Sequence, residues 1–238
     1  MRSMTTTRKL ALAAGVLYLV TFAASIPTLA LKGPLVDHAD FVLGHGNDTG
    51  VIWGGLLDFV CALAGIGTAV ALYPVTRRFS RTSAIGFVTT RTLEAAILVV
   101  GAISLLSVVT LRNDFAGGST SSLLTTSRSL LAMHDWSFLF GPGFMPACNA
   151  LFLATVMYRF RLVPRFIPLM GLVGVPLLLA SSLATFFGGH GQVSSSAFVF
   201  ALPIAAWEFS LGAYLTFKGF QRPVDGTDAP VASAALAA

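Results

Sequence analysis

Six stretches of the chain, at about residues 10–31, 49–75, 83–111, 130–158, 166–187 and 197–217, each run for twenty or more residues with no more than two charged side chains. An α-helix rises 1.5 Å per residue, and the hydrocarbon core of a bilayer is about 30 Å thick, so roughly 20 apolar residues suffice for one crossing. The runs therefore predict an all-α integral membrane bundle of six transmembrane helices. Composition agrees: 55% of the 238 residues are hydrophobic and 11% are charged, where a soluble domain carries about a quarter charged.

The segments between the runs set the threading. They are a polar loop at 32–48, "TRRFSRT" at 76–82, a Ser/Thr-rich loop at 112–129, "RFRLVPR" at 159–165 and "GGHGQVSSS" at 188–196. Basic loops stay on the cytoplasmic side. Arg2, Arg8, Lys9, Arg77, Arg78, Arg81, Arg159, Arg161, Arg165, Lys218 and Arg222 fall on one side, against Lys32, Arg112 and Arg128 on the other. Both termini are thus expected in the cytoplasm. The formal charge of +5 belongs to these short clusters and traces no basic face of the kind nucleic acid requires. The first run reaches Leu31, longer than the 7–15 residues of a signal-peptide core, and reads as an uncleaved span. Residues 1–222 form the membrane domain, and the small-residue tail 223–238 is expected to be disordered. Cys61 and Cys148 lie in apolar runs without a partner at motif spacing and read as small hydrophobes.

Charge inside the runs is the informative exception. Counted along each helix, Asp58, Glu94 and Glu208 fall about 14–17 Å deep, with Arg91 about one turn nearer the cytoplasm. A charge at that depth costs on the order of 2.5–3.5 kcal/mol even on insertion scales, so each should face the bundle interior and find a partner. Stripes of small residues (Gly54, Ala62, Gly65 and Ala69 around Asp58; Ala201, Ala205 and Gly212 around Glu208) let helices approach closely and bring the acids together. Asp58, Arg91, Glu94 and Glu208 are therefore expected to form one polar cluster at the midplane, with Arg91 as the basic residue shared by three carboxylates. A cluster of this kind either clasps the bundle together or serves as a binding site for a small solute or a proton.

The fourth run carries a second irregularity, "MHDWSFLFGPGFMPACNA". Pro142 and Pro146 each remove a helical N–H, and Gly141 and Gly143 weaken the same turns. A kinked or broken helix follows, either packed as a plain proline kink or lining a site as broken helices of transporters do. Its candidate residues are His134, Asp135, Gly141, Pro142, Gly143 and Asn149. His38, His45, His134 and His190 all map to the outer side, but none stands at H-x-x-x-H spacing, so no metal site is expected. There is no G-x-S-x-G, H-E-x-x-H or Gly-rich nucleotide loop, so neither an enzyme nor a cofactor is indicated. A faint internal repeat, Tyr73 to Gly86 against Tyr158 to Gly171, follows from the positive-inside pattern alone.

Several segments carry a resemblance: "ALAAGVLYLVTFAASIP", "RTLEAAILVVGAISLL", "HDWSFLFGPGF", "YRFRLVPR" and "PIAAWEFSLGAYLTFKGF". Over residues 8 to about 222 the chain resembles bacterial multi-span membrane proteins of the uncharacterised domain-of-unknown-function 4386 family. The resemblance implies a location in the bacterial inner membrane and supplies no substrate, reaction or site. Three functions stay open: a transport-like or proton-coupled protein, a structural or regulatory subunit whose buried charges only clasp the helices, and an intramembrane enzyme. The lipid bilayer is the expected surroundings; the oligomeric partner is not specified by the sequence.

Overall fold

The computed structural model describes residues 4–44, 46–115 and 117–221. Among them every regular element is helical: α1 (Thr6–Val36), a 3-10 turn (Ala39–Leu43), α2 (Asp48–Thr76), α3 (Arg81–Asp114), α4 (Thr120–Phe138), a π-helical segment (Leu139–Phe144), α5 (Met145–Arg159), α6 (Phe166–Phe186) and α7 (Ser195–Phe217). Since α4, the π segment and α5 form one span, Thr120–Arg159, six helices are long and apolar enough to cross a membrane. The tail 223–238 and His45 lie outside the described residues.

Helix starts are written locally. The side chains of Thr5, Asn47, Ser80, Ser119 and Ser194 each accept a backbone N–H of the turn they precede, satisfying donors that a helix N-terminus leaves without partners. At the opposite pole, the Arg8 guanidinium donates to the carbonyls of Leu215 and Thr216 at 2.8 and 2.7 Å. It therefore caps the last turn of α7 and joins the two ends of the chain's membrane domain.

Two boundaries differ from the sequence reading. The Ser/Thr-rich segment expected as a loop to residue 129 is helical from Thr120, because hydroxyls can bond back to the preceding turn, as Thr125, Thr126 and Ser129 do. Leu123 of the same helix is buried against Leu105 and Val108 of α3 and Leu35 of α1. The polar loop expected from residue 32 begins only after Val36, which places Lys32 inside a helix. The fourth span is not broken either. Its chain passes Pro142 as a π-helical turn, whose wider winding accommodates a residue lacking an N–H. Pro146 falls in the first turn of α5, where no N–H is needed.

The spans pack in a ring: α1 on α2, α2 on α3, α3 on the composite fourth span, α5 on α6, α6 on α7, and α7 back on α1. α1 and α7 approach closely at Gly15, where an added Cβ would lie 2.5 Å from the Thr216 backbone nitrogen and 2.7 Å from the Gly212 carbonyl oxygen. The half of the ring nearest the loops at 77–80 and 160–165 is filled by a dry core of Ala14, Leu72, Phe87, Leu153, Trp207 and Leu211. Toward the other end a second apolar core of Leu35, Phe41, Val51, Leu105, Val108 and Leu123 is packed, and the bundle there also holds cavities. Large apolar side chains such as Leu63, Val70, Ile103 and Leu202 point outward, as lipid-facing positions of a span require.

Candidate functional site

The helix that carries "RTLE" sets the site. Arg91 and Glu94 are three residues apart on α3 and so lie on one face, with the arginine 4% exposed. Arg91 Nη1 donates to Glu94 Oε2 at 2.7 Å, and Nη2 donates to Glu208 Oε1 on α7, also at 2.7 Å. One planar guanidinium therefore serves two carboxylates through separate nitrogens, a geometry that the fork of five N–H donors permits and lysine cannot match. Below it, Tyr18 of α1 turns its ring to the guanidinium, 5.3 Å from carbon Cζ to the centroid, a distance suited to cation–π attraction. Asn149 of α5 donates its Nδ2 to Glu94 Oε2 at 2.5 Å.

Above this layer lies a cavity of about 330 Å³ lined by residues from all six spans. Glu94 and Glu208 show 14% of their side chains at its wall, against 5% for Arg91. The acids show more of themselves to the space than the cation between them, which lines it as well. Toward the basic loops the dry core closes the route. Toward the opposite end the cavity adjoins two others, of about 350 and 570 Å³, with which it shares Leu29 and Phe138. Two polar atoms of the layer, Arg91 Nε and Asn149 Oδ1, are buried without a hydrogen-bond partner, a condition that costs about 1–3 kcal/mol each unless a guest or water meets it.

Asp58 departs from expectation. It lines the same cavity as the two glutamates, but its cation is Lys32 of α1, 2.7 Å away with both side chains nearly fully buried. The sequence reading put Lys32 in the outer loop because the apolar run ends at Leu31; the helix in fact continues one turn further. A partial signal for the pair was present: α1 and α2 are consecutive helices packed on one another, and a lysine near the end of a span can send its charged tip along the helix toward an acid on its neighbour. Arg91 is thus shared by two acids, not three. Tyr18 carries no charge and was not singled out, although it lies on α1 at about the depth of Arg91.

The six broken-helix candidates divide. Asn149 joins the Arg91 layer. Gly141 sits against Ile97 and the Glu94 carbonyl of α3, Pro142 lines the central cavity, and the Gly143 carbonyl accepts from Ser182 of α6 at 2.9 Å. These three hold the π turn between α3 and α6. His134 and Asp135 stand apart, lining the outer 350 Å³ cavity with Lys32, Asp37 and Gln192; Gln192 Nε2 donates to the Asp135 carbonyl at 2.9 Å. His190 is ringed by Ser181, Thr185 and Ser194 hydroxyls, away from His134. His38 is exposed at the start of the 3-10 turn.

A family model described as "Domain of unknown function (DUF4386)" matches residues 13–219, a stretch that includes every residue of the charged layer. No curated protein and no solved structure matches the chain.

Proposed function

The chain belongs to the DUF4386 family, which brings no activity with it, and from that premise we propose a transport-like, proton-coupled membrane protein whose carrier is the Glu94–Glu208 pair. One observation carries the reading: two carboxylates share a single guanidinium at the wall of the central cavity. With both acids ionised, the layer holds one negative charge in excess. In a poorly hydrated site that excess must be met by a proton or another cation. Lys32–Asp58 supplies the contrast, being one cation against one acid, as a clasp needs and no more. That a clasp alone accounts for Arg91 as well is the second reading, favoured by the fact that its pair with Glu208 ties α3 to α7.

In this reading Arg91 stays charged throughout, anchoring both glutamates and keeping them close enough that a proton on one is felt by the other. Asn149 holds Glu94 from the fourth span, on the helix that follows the π turn; π segments recur at functional sites. The bilayer is taken to be the bacterial inner membrane, with both termini cytoplasmic, which puts the open cavity on the outer side.

Purified protein in vesicles with an imposed pH gradient is expected to dissipate that gradient faster than empty vesicles, and Glu208→Gln to slow it at least tenfold. Vesicles that hold the gradient as well as empty ones would rule out the carrier and leave the clasp. The threading is tested by fusions: a cytoplasm-active reporter should work at Thr76 and Val163 and be silent at Ser119 and Gly191. Activity at Ser119 would reverse the assignment.

A further inference from the structure

Resting on that carrier reading, we infer that the central cavity takes an amphipathic, singly charged ammonium ion, a protonated amine with an apolar body, in exchange for the proton held by the Glu94–Glu208 pair. Charge comes first. Arg91 offsets one of the two glutamates, and Lys32 offsets Asp58, so the wall retains a single negative charge. A buried charge is tolerated only when paired and hydrogen-bonded, and an ammonium group brings both the charge and N–H donors.

The orphaned atoms point the same way. Asn149, 2% exposed, has its Nδ2 on Glu94 and its Oδ1 without a partner; it stands behind the residues of the cavity wall and leaves an acceptor open beside the acid. Arg91 Nε, on a residue that lines the cavity, is a buried donor equally unmet, and a water carried in with the ammonium head can satisfy it.

The rest of the wall selects the body. Phe22, Ile26 and Leu29 of α1, Leu98 of α3, Phe138 of α4 and Ile204 of α7 surround the space above the acids. At about 330 Å³ the cavity stands at the small end of organic-ligand pockets, about 300–1,000 Å³. A bare metal ion does not fit this wall, since among the described residues no group of three or more His, Cys, Asp or Glu is placed to hold one. Access favours a cation as well: the adjoining outer cavity shows Asp37 and Asp135, beside Lys32, which is paired with Asp58, and His134, which faces Asp135.

The exchange balances without covalent change. A carboxylic acid of the pair gives its proton to water as the ammonium enters, and the amine keeps its own proton. The charged and titratable groups that face the pair are Tyr18 from α1, Asp58 and Cys61 from α2, Arg91 from α3 and Cys148 from α5; α6 brings only Leu178 to the wall. Competition with protons then makes the amine bind more weakly as pH falls.

The test is calorimetry on the full chain in detergent, titrating 4-phenylbutylamine and, as its isostere of opposite charge, 4-phenylbutyrate, in two buffers of different ionisation enthalpy. We expect saturable amine binding with about one proton released per amine, no binding of the carboxylate, and at least tenfold weaker amine binding in Glu208→Gln. Ala205→Phe, which fills the cavity without touching its charges, should abolish binding and covers the case that the glutamate variant folds poorly. Equal binding of amine and carboxylate, or amine binding untouched by Ala205→Phe, overturns the inference. Absence of amine binding in a protein that still dissipates a pH gradient overturns it while the carrier reading stands. Amine binding without proton release, in a protein whose vesicles hold their gradient, overturns both.

Discussion

Arg91→Leu is expected to leave little folded protein in the membrane fraction. The substitution removes the only cation in contact with Glu94 and Glu208 among the described residues and strips the Tyr18 face of its guanidinium. Breaking a buried pair by removing one partner typically costs about 3–5 kcal/mol, because the partner is left buried and uncompensated; here two acids are left so. Neutralising them should reverse the loss in steps. Glu94→Gln added to Arg91→Leu recovers part of it, since an amide can still accept from and donate to Asn149, and adding Glu208→Gln recovers more. Thermal melting of the three variants in one detergent measures the series. A double variant no more stable than Arg91→Leu alone would mean that Arg91 and Glu94 are not energetically coupled, and the layer as described would be wrong.

Lys32→Met is expected to be nearly as damaging, for a different reason and with a different cure. Asp58 has only Lys32 as an ion-pair partner among the described residues, at 3% exposure, so losing the lysine again leaves an uncompensated carboxylate at a cost of about 3–5 kcal/mol. Because this pair is one to one, a single second change should suffice: Lys32→Met with Asp58→Leu should melt at or above the wild-type temperature, as apolar replacements of buried ion pairs are often neutral or stabilising by about 1–4 kcal/mol. No double variant of the Arg91 layer should recover so fully. If Lys32→Met alone melts like the wild type, α1 and α2 are not joined by this pair, and Asp58 returns to the set of acids that the cavity must neutralise.

The contrast between these two sites explains what could and could not be read ahead of the structure. Depth along a span is arithmetic, 1.5 Å per residue from the membrane surface, so the common layer of Arg91, Glu94 and Glu208 was visible in the sequence. Partner choice is not arithmetic. The fall in hydropathy at residue 32 predicts a loop for Lys32, yet a lysine can remain in the helix and reach down to Asp58 because its stem is apolar and only its tip is charged. The prolines of the fourth span announced a disturbance but not its form. Whether Pro142 kinks, breaks or widens a helix depends on what the neighbouring helices supply, here Ser182 for the Gly143 carbonyl and the Ile97 side chain for Gly141.

By itself, then, the chain's sequence determined that it is an all-helical, six-span membrane protein, about where each span lies, and that Asp58, Arg91, Glu94 and Glu208 sit too deep to be left alone, though not that Lys32 joins them. Those are local properties: runs of apolar side chains, caps at helix starts and counted depth, each settled by a few neighbouring residues. Tertiary structure alone decided that α7 closes the ring on α1, that Tyr18 and Asn149 join the charged layer, that Asp58 belongs to Lys32, and that one half of the ring is packed dry while the other holds cavities beside its core. These depend on which faces of distant helices meet. In a bilayer, where lipid is as apolar as leucine, close packing and buried hydrogen bonds decide that meeting, and neither has a signature within a single span.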